Sequence, residues 1–139
     1  MEITAVALQT VAPNRPVTYT ETAVAGNCSI LHREGSGLVS LRGLTNQCRA
    51  RFRITAGMNV ALPADATVAP IELAIAVNGE PIESALMIST PGVVSEFNSV
   101  SKSLFIDVAQ GCCAQISVEN VGTTAADVQN ANLIVERVA

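Results

Sequence analysis

The sequence predicts one all-β domain, residues 1–139, built as an antiparallel jelly-roll sandwich. Three observations lead there. Apolar and polar residues alternate with a period of two almost throughout. Turn signals break the alternation into about ten short runs, at the spacing of a sandwich or barrel. Thr and Val, whose β-branched side chains suit a pleated surface, are abundant.

The runs follow in order. Phe52, Ile54 and Ala56 alternate with Arg51, Arg53 and Thr55, which predicts a strand near 50–56. Ile71, Leu73, Ile75 and Val77 share one face of a strand over 71–77, with Glu72, Ala74 and Ala76 on the other. Asn78-Gly79 then separates IELAIAV from EPIESALMI. Both central residues of a type I′ turn need positive φ, so this pair predicts a hairpin into a strand over 82–88. Leu104, Ile106 and Val108 predict a strand over 104–108, Ala114, Ile116 and Val118 one over 114–119, and the apolar C-terminal run one over 131–137. Pro13-Asn14, Gly26-Asn27, Glu34–Gly37, Pro63–Asp65, Pro91-Gly92, Gly111 and Asn120–Gly122 mark further turns. TTAADVQ, residues 123–129, is too short and polar for a core helix.

Composition excludes several classes of function. Hydrophobic residues make up 49% and charged residues 14%, so the chain has too much to bury to be disordered. No apolar run approaches the ~20 residues of a membrane helix. The opening MEITAVALQT has no basic region and does not read as a secretory signal, which predicts a reducing compartment and free thiols. A net charge of −4 disfavours nucleic acid as partner. Trp is absent and Tyr19 is the one tyrosine, so aromatic platforms for sugars or bases are scarce. Cys28, Cys48, Cys112 and Cys113 form no CxxC pair, and with His32 they match no common zinc spacing. The expectation is four small buried hydrophobes, with no metal or cofactor. One histidine, no phosphate-binding Gly loop and no nucleophile elbow predict that the chain is not an enzyme.

Charge is unevenly spread. Residues 1–53 carry a net +3 and residues 54–139 a net −7. Arg49, Arg51 and Arg53 project from one face of their strand. They form a solvated face, pair with Glu72 and other acids of the domain, or make an intersubunit or capsid-facing contact, for which the planar guanidinium is suited. Ala74, Ala76, Phe105 and Ile134 occupy positions opposite the expected core and are still apolar. A second sheet or another subunit has to cover them.

The order of these elements carries a resemblance. Ile71–Val77, the turn Asn78-Gly79-Glu80-Pro81, Ile82–Ser89, the long region Val93–Val108, Gln115–Val118 and the terminal ANLIVERVA together resemble the trimeric jelly rolls of the complement-globular-domain and tumour-necrosis-factor-like superfamily. The similarity spans roughly residues 50–139 and is nearest to the C-terminal domains of collagen-like spore-surface glycoproteins. The whole chain, with CSILHREGSGLVSLRGLTNQCRARFRI, also looks like small head fibre or head decoration proteins of tailed phages. Two features depart from the superfamily: no collagen-like repeat precedes the domain, and core aromatics are nearly missing. The resemblance implies a homotrimer with Phe105, Ile134 and Val138 lining its axis. It implies a virion structural protein on the capsid surface, made in the host cytoplasm, with the major capsid protein or another virion protein as partner. Its alternative is a receptor- or glycan-binding knob of a phage fibre or of a bacterial or spore surface protein.

Overall fold

A computed structural model describes all residues, 1–139. Eleven strands form two antiparallel sheets: β1 (Glu2–Ala5), β2 (Gln9–Val11), β3 (Glu21–Val24), β4 (Ile30–His32), β5 (Val39–Arg42), β6 (Arg49–Ala61), β7 (Ile71–Val77), β8 (Glu80–Ser89), β9 (Asn98–Ala109), β10 (Cys113–Asn120) and β11 (Ala126–Arg137). Sheet A runs β3-β1-β11-β6-β9, with β2 also on β11, and sheet B runs β4-β5-β10-β7-β8. This is the jelly-roll sandwich expected from the alternation. The six strands assigned from sequence all form, and β7 has the expected bounds. β6, β9 and β11 extend further, because partners on both sides of β6 and β11 satisfy backbone groups well beyond the alternating cores. Residues 126–129 of TTAADVQ begin β11.

Local chemistry sets the turns and irregularities. Asn78 and Gly79 both adopt positive φ, 52° and 85°, as the β7–β8 hairpin requires. Asn130, at φ 53°, forms a bulge that splits β11, so that β1 pairs with residues 131–134 and β2 with residues 126–128. The segment before β3 is held without being a strand. Val17 N–H donates to the Val118 carbonyl at 2.8 Å and Asn14 N–H to that of Asn120 at 2.7 Å, filling the flank of β10 that the short β5 leaves open.

The core lies between the sheets and contains 30 buried hydrophobic residues, with Phe52, Ile54, Leu133 and Ile3 from sheet A facing Leu41, Leu73, Ile75 and Ile116 from sheet B. It is aliphatic, which explains how so few aromatics suffice. Ala74 and Ala76 correct the sequence reading: both are buried within one chain. They sit on the outer face of sheet B, where Leu86 and Glu119 flank Ala74, and Pro81 and Ser117 flank Ala76. Larger neighbours hide a methyl group without any second layer.

Two buried polar side chains differ in how they are satisfied. Asn120 Nδ2 donates to the carbonyls of Val11 and Thr124, both at 2.9 Å, and its Oδ1 accepts from Gly122 N–H at 3.0 Å. It clamps the β2 end, the β10–β11 loop and the residue-14 segment together. The Tyr19 hydroxyl is fully buried with no hydrogen-bond partner, and burial pushes its pKa up, so it stays protonated. Asn120→Ala is expected to cost about 1–3 kcal/mol by orphaning buried backbone groups. Tyr19→Phe is expected to leave stability unchanged or raise it by about 1 kcal/mol. Urea midpoints at constant slope measure both.

Candidate functional site

The strongest candidate is the outer face of sheet A. Its residues are dictated by β6: once Ala50, Phe52, Ile54, Ala56, Met58 and Val60 enter the core, Arg49, Arg51, Arg53, Thr55, Gly57 and Asn59 must face out. Register places Asp107 opposite Arg51, Phe105 opposite Arg53 and Ser103 opposite Thr55 on β9. On the other side, Glu136 lies opposite Arg53 and Ile134 opposite Thr55 on β11. Val138 follows β11 and its N–H donates to the Arg51 carbonyl at 2.9 Å. The six residues singled out from sequence, Arg49, Arg51, Arg53, Phe105, Ile134 and Val138, therefore come together on one sheet.

The arginines are paired within the chain. Arg51 grips Asp107 bidentately, Nε to Oδ1 at 2.8 Å and Nη2 to Oδ2 at 3.1 Å, and Arg49 Nε adds a contact to Oδ2 at 3.1 Å. Arg53 binds Glu136. Glu72, considered as a partner from sequence, lies instead on β7 in the other sheet. The actual partners come from segments that only tertiary pairing brings near. Their one sequence trace is the alternation that sets Asp107 and Glu136 opposite core residues. Further polar pairs continue the face: Thr55 with Ser103 at 3.0 Å, Ser99 to Asn59 at 2.7 Å, and Asn132 to Glu2 at 3.2 Å. Gly57 leaves the centre flat, since a Cβ there would press the Asn132 amide oxygen. Amid this polar ladder Phe105 is 62% exposed, and Ile134 is half-buried.

The concavities are shallow and open. One of about 290 Å³ lies at the end of this face, lined by Gln47, Cys48, Arg49, Arg51 and Ala139. Another, of about 490 Å³, follows the edge strands β8 and β9 past Ile88 and Lys102. A third, of about 390 Å³, lies on sheet B beside His32. There His32 Nε2 donates to the Ser36 carbonyl at 2.9 Å, and Nδ1 is buried without a partner. The ring stacks edge-on to Tyr19 with centroids 6.5 Å apart. No three His, Cys, Asp or Glu side chains gather at a metal-binding distance. The cysteines correct the sequence reading: all four are free and exposed, because each lies in or beside a loop at the end of the sandwich rather than on an inward strand position.

The Arg51 side chain, by hydrogen bonding, holds the Asp107 carboxyl below its ordinary value near 3.8, with Coulomb attraction from Arg51 and Arg49 adding to the effect and desolvation opposing it. A depressed carboxylate stabilises the fold above the unfolded pKa and loses that contribution as pH falls through the folded one. The Tm difference between wild type and Asp107→Asn, present at pH 6, is expected to close below about pH 4 as the wild type loses this contribution. Thermal melts across pH 2.5–6 check it.

No protein-family model and no curated protein sequence matches the chain. Solved structures do. The globular domain of zebrafish complement 1qA protein aligns with a TM-score of 0.64 at 11% identity, covering 96% of this chain and 93% of that one. Murine APRIL aligns with a TM-score of 0.67 at 10% identity, covering 99% and 98%. At such identities the likeness concerns the fold alone, a two-sheet antiparallel jelly roll over nearly the whole chain.

Proposed function

We propose that this chain is a non-enzymatic assembly module: a homotrimer that clads a particle surface as a head decoration or head fibre protein of a tailed phage, held by the major capsid protein or another virion protein. The observation that carries the assembly reading is Phe105, a large apolar ring exposed on a flat sheet whose surrounding polar groups already satisfy one another. Desolvating such a face orphans few polar groups and removes the ring from water, which suits a subunit contact. A closed cyclic assembly buries the same patch on every copy. The threefold order and the virion setting rest on the resemblance of the sequence, and neither nucleic acid nor a membrane is needed as partner. The alternative, a receptor- or glycan-binding knob, draws support from Val68, Val93 and Phe97, exposed in the loops at the end opposite the cysteines.

Light scattering at micromolar concentration is expected to give three times the 14.4 kDa of one chain; a mass of 14.4 kDa rejects the trimer. Phe105→Glu is expected to return the protein to monomers without loss of strand content by circular dichroism, since the ring makes no core contact. Arg51→Glu with Arg53→Glu is expected to weaken assembly. Co-sedimentation with capsids tests the virion setting, and binding to host cells through Val68, Val93 and Phe97 in its absence favours the knob.

A further inference from the structure

Cysteine ranks among the most buried residue types, yet all four cysteines here are exposed and lie at the same end of the sandwich. Three loops meet there: residues 25–29, 43–48 and 110–112. Gly43 N–H donates to the Cys112 carbonyl at 2.9 Å, Gln110 N–H to that of Cys48 at 3.0 Å, and Arg42 N–H to that of Ser29, next to Cys28, at 2.8 Å. Gly43 has no room for a side chain, because a Cβ there would collide with the Ala109 carbonyl. The loops are thus packed backbone to backbone and the thiols are pushed to the rim. Cys113 pairs in register with Arg42 on the outer face of sheet B, and the Arg42 guanidinium also meets the Cys28 carbonyl at 3.5 Å. Cys113 therefore stands cross-strand from Arg42, whose guanidinium reaches the main chain of Cys28, with Cys112 in the adjoining turn.

This end also carries guanidiniums. Arg42 and Arg137 lie at it, with Arg137 reaching the Leu44 carbonyl at 2.6 Å and Ser29 Oγ at 3.5 Å, while Arg49, Arg51 and Arg53 stand on the outer face of sheet A. Asp107 and Glu136 pair with the arginines of sheet A, Glu2 lies opposite Val24 beside the 25–29 loop, the Ala139 oxygen accepts from Arg137 Nε at 3.3 Å, and Glu80 stands apart on the edge strand β8. The chain as a whole carries −4.

We propose that this end is a thiol–disulfide exchange site for anionic low-molecular-weight disulfides, with Cys28, Cys112 and Cys113 as the acceptors around Arg42. A thiolate attacks one sulfur of the incoming disulfide, the protein–sulfur bond forms as the original S–S bond breaks, and the other half leaves as a thiolate that takes up a proton. The disulfide is itself the oxidant. Guanidiniums draw an anionic disulfide to the rim and repel a cationic one. Cys28 and Cys113 do not belong to the outer face of sheet A, so they stay open in an assembly built on that face.

The test compares oxidised glutathione, which is anionic, with cystamine, which is cationic, on the full chain, read as adduct formation by intact mass. At about 10 mM ionic strength, oxidised glutathione is expected to react at least about threefold faster. The preference is expected to vanish near 0.5 M salt, where screening acts within a few ångströms. Arg42→Gln is expected to reduce it, and 6 M urea to abolish it. Peptide mapping is expected to place the adducts on Cys28, Cys112 and Cys113. Equal rates, or a faster cystamine reaction as net charge alone demands, overturn the proposal. So does a preference that survives urea, adducts confined to Cys48, or a Cys112–Cys113 disulfide in place of adducts.

Discussion

β6 has core on one face and charge on the other, and much of the molecule depends on keeping that alternation in place. Phe52, Ile54 and their inward neighbours are fully buried between the sheets, while Arg49, Arg51 and Arg53 stand on the opposite face. A slip of one residue against β9 or β11 would drive three guanidiniums into an aliphatic core, at a cost no surface contact offsets. The same register sets Asp107 and Glu136 beside those arginines. Core burial thus determines the outer face indirectly, and the exposed ion pairs report the register more than they stabilise it.

The charge asymmetry along the chain dissolves once the sheets form. The first 53 residues are basic and the remainder acidic, but Arg51 meets Asp107 and Arg53 meets Glu136, each a pair that joins the two halves. At the loop end Arg42 and Arg137 instead bind main-chain oxygens, those of Cys28, Leu44 and Ala139. The two ends of the sandwich therefore differ in character. One carries guanidiniums and thiols. The other presents Val68, Val93 and Phe97 on loops rich in Pro, Ala and Thr.

A core made almost wholly of aliphatic side chains also has consequences. With Phe52 and Tyr19 as its large rings, packing depends on many branched residues interdigitating across two sheets. Polar groups enter this core sparingly. Asn120 is fully satisfied and ties three backbone segments, whereas the Tyr19 hydroxyl is left without a partner. The first defines how the N-terminal segment docks; the second contributes a ring and carries its hydroxyl as a burden.

The fold class was legible in the amino-acid order, because period-two alternation and turn chemistry are local and each run reports its own inward face. That order also determined that Arg49, Arg51 and Arg53 share a face and that Asn78-Gly79 turns a hairpin. Tertiary structure alone decided which strands lie beside one another, since pairing joins residues as distant as Glu2 and Ile134, and no local pattern encodes that. It decided that Asp107 and Glu136, not Glu72, receive the arginines. It decided that Ala74 and Ala76 are covered by neighbours on adjacent strands. It also placed the cysteines: residue type predicted burial, but exposure depends on where a loop ends up, and three loops that are remote in sequence meet at one end of the sandwich and leave their thiols in water.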